Sequence, residues 1–320
     1  MDNLNKLFEI KQLTKAFPIK SGILQKKSSL IAVHNFTLDI YEGETIGIVG
    51  ESGCGKSTVG RLLLKLIDAT EGQIVFKNKD ITKLSEKEFK PYRKDMQFIF
   101  QDPYASLNPR YRIIDAIAEP MEVFSLLANK QEKHDKVEKL LLAVGLPPES
   151  MNKYPHEFSG GQRQRICIAR ALALHPSFIV ADEPVSALDV SVQSQVLNLM
   201  HDMKQEYGFT YLFISHDMSV VKHVCQRIVV MYLGNIVEIA QNDALFSNPL
   251  HPYTEALLNA VPVIGKKKKH ELIAGEVPSP INPPSGCVFH PRCPYATQEC
   301  TMHVPHLEER TPGHYTACWR

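Results

Sequence analysis

Glu44-Thr-Ile-Gly-Ile-Val-Gly50-Glu-Ser-Gly-Cys-Gly-Lys56-Ser57 is the stretch on which the fold turns. Its first half is a short apolar run suited to a buried strand, and it breaks into a glycine loop that opens a helical pattern over residues 57–67. The spacing fits G-x-x-x-x-G-K-[ST]. Backbone N–H groups along Gly50, Glu51, Ser52, Gly53, Cys54 and Gly55, with the helix N-terminus at Ser57 and Thr58, wrap a polyphosphate. In that arrangement Lys56 reaches the β- and γ-phosphates and Ser57 ligates Mg²⁺. A chance glycine turn would not bring strand, lysine, serine and helix in this order, yet alone the motif specifies only nucleotide triphosphate chemistry. Cys54, beside Lys56 and a helix N-terminus, is expected to favour thiolate and to be shielded by nucleotide; a buried, inert loop filler is the alternative.

On the N-terminal side of this loop, residues 7–17 and 31–41 read as half-buried strands with a Lys/Ser/Gly-rich loop between them, an antiparallel β lead-in. Residues 102–165 change character. They hold helical segments at 113–124 and 131–144 with turn signals at Asn108-Pro109 and Pro147-Pro148, a helical insert. Residues 178–182, 210–215 and 227–234 are then buried-type strands separated by helical patterns, which implies a largely parallel sheet with helices on both faces. The core is expected to end near Val261. Beyond it come four lysines at 266–269, read as a solvated linker, then Pro278, Pro280, Pro283 and Pro284, then a cysteine cluster.

The chain has 320 residues, 44% hydrophobic and 22% charged, with a formal net charge of +1. That size predicts two unequal domains, and that balance gives no broad electrostatic reason for nucleic acid as a partner. The first twelve residues show no cationic lead and apolar h-region, and no window approaches about 20 uncharged apolar residues, so a cytoplasmic protein is expected. Seven cysteines without a secretory signal read as reduced thiols or metal ligands.

Phe178-Ile-Val-Ala-Asp182-Glu183 is a strand ending in two acids. Asp182 is placed to hold the Mg²⁺ shell and Glu183 to orient and polarise the attacking water. Between this strand and the glycine loop lies Phe158-Ser-Gly-Gly-Gln162, in which Ser159 reads as a helix N-cap and Gly160 and Gly161 let backbone N–H groups approach an anion.

Here the sequence resembles the ABC ATPases, whose signature is [LF]-S-G-G-Q, over about residues 7–260. The resemblance implies an α/β, ABC-type P-loop NTPase: a RecA-like mixed sheet core, an antiparallel β subdomain, a helical subdomain at about 102–165, and a small Cys-rich extension. The nucleotide-binding domain is expected over 1–262 and the extension over 263–320. It further implies that Ser159, Gly160, Gly161 and Gln162 complete the ATP site of a second subunit in trans. Gln101, after the strand 96–100, resembles the loop glutamine that touches Mg²⁺ and the attacking water. Ser186 and Asp189 resemble the dimer-contact loop, His216 the switch histidine on the γ-phosphate, and Phe17 the aromatic that stacks on adenine.

Segments 98–110, 154–158, 248–254 and 278–287 resemble the oligopeptide/dipeptide importer ATPases, the F-type subunit in particular. That implies a peripheral subunit at the cytoplasmic face of the membrane, a partner ATPase in a heterodimer, two permeases and, indirectly, a solute-binding protein. Close relatives carry nickel or sugars, and a soluble ABC ATPase on nucleic acid or ribosomes is the alternative of another class. Cys287, Cys293, Cys300 and Cys318 sit in a tail too short for much core, which suggests that ligation organises it. Their gaps of five, six and seventeen residues are wider than the usual zinc knuckle. The resemblance associates this pattern with a [4Fe–4S] cluster, with Zn²⁺ as the alternative.

Overall fold

The computed structural model describes residues 5–19, 28–260 and 275–320. Most of the loop read between the first two strands, the core end at 261 and the lysines at 266–269 lie outside the described residues. The strands are β1 Lys6–Ile19, β2 Ser28–Tyr41, β3 Thr45–Val49, β4 Glu71–Phe76, β5 Lys79–Asp80, β6 Met96–Ile99, β7 Phe178–Asp182, β8 Thr210–Ser215, β9 Arg227–Tyr232, β10 Asn235–Gln241, β11 Glu308–Thr311 and β12 His314–Thr316. Two compact units are formed: Met1–Lys83 together with Phe213–Arg320, and Leu84–Leu212. By compactness, β6 and β7 therefore group with the helical insert, and residues 275–320 group with the phosphate loop.

In the first unit, β2-β1-β4-β5 make an antiparallel sheet. Leu7, Phe8, Ile10 and Leu13 of β1 are buried, and the Phe8 and Phe76 rings lie 4.8 Å apart across the β1–β4 pairing. A second set of strands begins with β3, whose five residues are all buried, as a strand with parallel neighbours requires. β3 pairs with β9 in parallel, Ile46 opposite Arg227 and Val49 opposite Val230. β9, β10, β12 and β11 then continue as antiparallel neighbours.

The C-terminal segment, expected as a small module beyond a linker, is thus joined to the core by a strand. Glu238 on β10 is 0% exposed, and His314 Nε2 of β12 lies 2.7 Å from its carboxylate. The same carboxyl group accepts from the backbone N–H groups of Leu250 and His251, so both of its buried oxygens are engaged.

The second unit carries the parallel pair β6–β7, Met96 opposite Phe178 and Ile99 opposite Ala181. Its helices include Ile113–Val123, Lys130–Ala143, Gly160–Leu172 and Val190–Tyr207. Ile113, Ile117 and Met121 on the first and Val137 and Leu141 on the second are buried at helical spacing. Lys133 ties the two helices together, donating to Asp115 and Glu122 at 2.7 Å each. β8, buried at all six positions, runs across the division between the units.

Candidate functional site

In the first unit β3 delivers the chain into the phosphate loop, and helix Lys56–Leu63 starts directly after Gly55. Gly55 sits at φ +103°, and a Cβ there would lie 2.1 Å from the Ala32 carbonyl oxygen, so this turn closes only around glycine. Lys56 is 5% exposed, and its Nζ donates to the carbonyl oxygens of Gly50 at 2.7 Å and Glu51 at 3.0 Å. The cation is therefore held across the loop, where a phosphate oxygen would meet it.

Cys54 departs from expectation. It is buried, and burial raises its thiol above the ordinary value against the smaller opposing pull of Lys56. Desolvation of the thiolate outweighs the nearby charge, so the inert loop filler is the reading that the structure supports.

Two residues that the sequence reading passed over hold the loop from behind. The Tyr253 hydroxyl accepts from the Glu51 backbone N–H at 2.8 Å. Arg292 closes on the Glu51 carboxylate with two bonds, Nη1 to Oε2 at 2.7 Å and Nη2 to Oε1 at 3.1 Å. Tyr232, Tyr253 and Phe289 pack ring against ring at 4.7–5.4 Å beside this pair. Tyr253 falls in a segment already singled out, 248–254, and Arg292 stands beside the cluster cysteine Cys293, but their target lies 202 and 241 residues away in sequence, and local pattern carries no such pairing.

Phe17, near the end of β1, is 38% exposed, with the Lys15 ammonium 5.0 Å from its ring centre. It is not part of the core. His216 follows β8 and is exposed. Asp217 beside it caps helix Met218–Val224, accepting from the N–H groups of Ser219 and Val220, which fixes the loop that carries the histidine.

In the second unit β7 ends at Asp182, 4% exposed, and the next residue, Glu183, takes φ +46°. A glutamate in the left-handed region is strained, and such strain gathers at functional positions. The turn is stabilised by Ser186, whose hydroxyl and N–H both donate to the Glu183 carbonyl oxygen. The Gln101 side-chain amide donates to Glu183 Oε2 at 2.9 Å, so the two residues assigned to the attacking water touch one another.

The signature opens helix Gly160–Leu172 with a reciprocal cap. Ser159 Oγ accepts from the Gln162 N–H at 3.4 Å, and Gln162 Oε1 accepts from the Ser159 N–H at 3.0 Å. A Cβ on Gly161 would lie 2.4 Å from Val192 Cγ1, so the glycine also lets the helix pack against Val190–Tyr207. Asp189 occupies the N-cap position of that second helix, exposed and without a side-chain cap bond. Arg163 is buried, its guanidinium 3.4 Å from the Tyr104 ring centre and its Nε donating to the Pro155 carbonyl at 2.6 Å.

The four C-terminal cysteines are free and half-buried. Burial first, and neighbouring thiols in addition, push Cys287 up to about 11 and also raise Cys293 and Cys318, each of which senses Cys300. The Arg320 N–H approaches Cys318 Sγ at 3.5 Å and the Thr297 hydroxyl lies 3.4 Å from Cys300 Sγ. Among the described residues no three of these sulfurs lie within 4.8 Å of one another. A zinc tetrahedron with bonds of about 2.3 Å draws its sulfurs to about 3.8 Å apart. The four thiols form a gathered group spaced more openly than zinc requires, and at Cys287, Cys293 and Cys318 a cation would relieve the cost of the thiolate.

Two family models match the chain, ABC transporter over residues 33–186 and oligopeptide/dipeptide transporter, C-terminal region, over residues 237–300. The chain is 52% identical to the oligopeptide transport ATP-binding protein AppF of Bacillus subtilis (strain 168), over 99% of this chain and 98% of the relative. It is 51% identical to the oligopeptide transport ATP-binding protein OppF of Salmonella typhimurium, over 94% of this chain and 92% of that protein. Among solved structures, a dimeric, post-hydrolysis state of the ATP-binding cassette MJ0796 bound to ADP and Pi aligns with a TM-score of 0.65 at 30% identity, covering 73% of this chain and 98% of that one.

Proposed function

The chain belongs to the ABC transporter family, and from that premise we propose that it is the ATP-hydrolysing subunit driving an importer of oligopeptides or dipeptides. The observation that carries the reading is the match to oligopeptide transport ATP-binding proteins over 99% of the chain, with every catalytic motif intact.

The roles follow from residue chemistry. The loop from Gly50 to Thr58 wraps the phosphates and Lys56 neutralises the β- and γ-oxygens. Phe17, exposed and aromatic, stacks on the adenine. Ser57, Gln101 and the buried Asp182 offer the hard oxygen ligands that suit Mg²⁺, which supplies charge neutralisation at the reacting phosphoryl group. Glu183, oriented by Gln101, takes the proton of the attacking water, and His216 contacts the γ-phosphate. Ser159, Gly160, Gly161 and Gln162 serve the nucleotide of a partner ATPase, with Ser186 and Asp189 at the dimer contact. The partner is a sibling subunit, and two permeases, supplied by a solute-binding protein, choose the cargo.

No helix among the described residues is long and apolar enough to cross a membrane. In this reading the chain sits peripherally at the cytoplasmic face, held by its permeases. Cys287, Cys293, Cys300 and Cys318 would hold a [4Fe–4S] cluster, a structural group that draws the extension together. Protein purified without oxygen is then brown, with iron and acid-labile sulfide in equal amounts; colourless protein with one zinc supports the alternative.

Uptake of labelled di- and oligopeptides by cells deleted for this gene tests the function. Wild-type chain restores uptake and Glu183→Gln does not. Unchanged peptide uptake in the deletion, with nickel uptake lost instead, would reassign the cargo.

A further inference from the structure

Glu51 poses an electrostatic problem. It is the second residue of a loop built to receive the most highly charged part of ATP, and a free carboxylate there repels phosphate. Its field already reaches the loop interior, where it acts on the Cys54 thiol. The structure answers with Arg292, whose guanidinium side chain is 6% exposed and engages both carboxylate oxygens, 241 residues further along the chain. A paired fork of this kind neutralises and fixes the carboxylate together. Arg292 also donates to the Tyr232 hydroxyl at 3.3 Å and stands directly before Cys293.

We infer that Arg292 is a positioning residue of the nucleotide site: by neutralising Glu51 it keeps the phosphate loop receptive to polyphosphate, and so makes ATP affinity depend on the C-terminal extension being docked. This deepens the phosphate-loop reading above and rests on it. The arrangement also gives the extension a role that a mere appendage lacks, since the segment bearing the cysteines supplies the counter-charge for the loop.

The test is titration of the purified full-length chain with a fluorescent ATP analogue and Mg²⁺, at two ionic strengths, with the melting temperature of each variant alongside. Lys56→Ala serves as the control for the loop itself and is expected to abolish binding; retained binding there would defeat the phosphate-loop reading rather than this one. Arg292→Met is expected to weaken ATP about tenfold, more at low salt, because an unscreened Glu51 then faces the phosphates. Arg292→Lys, which keeps the charge and loses the fork, should fall between. The double variant Arg292→Met/Glu51→Gln should recover at least fivefold of the lost affinity. A purely structural anchor predicts no such recovery, since removing the carboxylate cannot restore the fork. Should Arg292→Met fail to fold, Glu51→Gln alone decides: the inference expects it to bind ATP about threefold more tightly. Unchanged affinity in folded Arg292→Met, a defect that Glu51→Gln leaves in place, or weaker binding by Glu51→Gln alone overturns the inference.

Discussion

The side-chain amide of Gln101 rests on the carboxylate of Glu183 at 2.9 Å, while Glu183 itself holds a left-handed backbone at φ +46°. One bond thus links the end of β6 to the end of β7. The glutamine fixes the direction of a carboxylate whose position the strained turn sets, the arrangement that the proposed aiming of a water would use.

Replacing Glu183 by Gln keeps the size and removes the base. ATP binding should persist, turnover should drop by about 10²–10⁴, and ATP should trap the closed pair of ATPase subunits. Single-turnover ATPase assays on the complex with an equally mutated partner give the answer; near-normal hydrolysis would contradict the role assigned to Glu183.

Gly161→Ala drives a methyl into Val192, 2.4 Å away. Overpacking of this kind costs about 1–3 kcal/mol. Because Val192 lies on the helix that follows Asp189, pairing Gly161→Ala with Val192→Ala should return most of that stability. Urea denaturation of the single and double variants decides, and an additive loss would refute the contact.

Cys54 should resist alkylation. Its thiol is buried and raised, so the rate at pH 8 should sit well below that of a free thiol and climb only at more alkaline pH than a free thiol needs. Peptide mapping after timed iodoacetamide exposure, with and without MgATP, reads this out. Rapid modification at pH 7 that MgATP blocks would restore the thiolate reading.

The fold was legible where one property dominated the local sequence. β7 and β8 run at 178–182 and 210–215 as read, because continuous apolar runs leave buried strands no ambiguity. The Ser159 cap was equally plain, since its partner Gln162 is three residues away. β10 and β12 were not legible. Glu238 interrupts β10 with a charge that pattern reading sends to solvent, and its burial makes sense only with Leu250, His251 and His314 in place, 12, 13 and 76 residues distant. In the site, the phosphate loop announced itself through spacing, whereas the Tyr253 and Arg292 supports depend on tertiary contacts that no local spacing encodes.

His251 supplies the pH dependence. It is 2% exposed, and its Nδ1 accepts from the Tyr253 N–H at 3.0 Å, a bond that only the neutral ring makes. Burial lowers its pKa from 6.5 to about 3. A depressed histidine contributes stability that is present above the unfolded value and lost as pH falls, so unfolding should become easier between pH 6.5 and 3, approaching about 1.4 kcal/mol per pH unit. His251→Asn keeps a capping oxygen and should flatten that part of the profile; an unchanged slope in the variant would assign the acid sensitivity elsewhere.

The β10–β12 pairing also bears on solubility. Without residues 275–320 the outer side of β10 would be a bare row of N–H and C=O groups, a template on which a second chain can add a strand. The extension covers it and puts β11 outermost instead, four residues long, exposed throughout, and carrying Glu308, Glu309 and Arg310. A short, charged border discourages edge-to-edge growth, so a chain cut back to residue 260 should form β-rich aggregates even though every nucleotide motif survives in it.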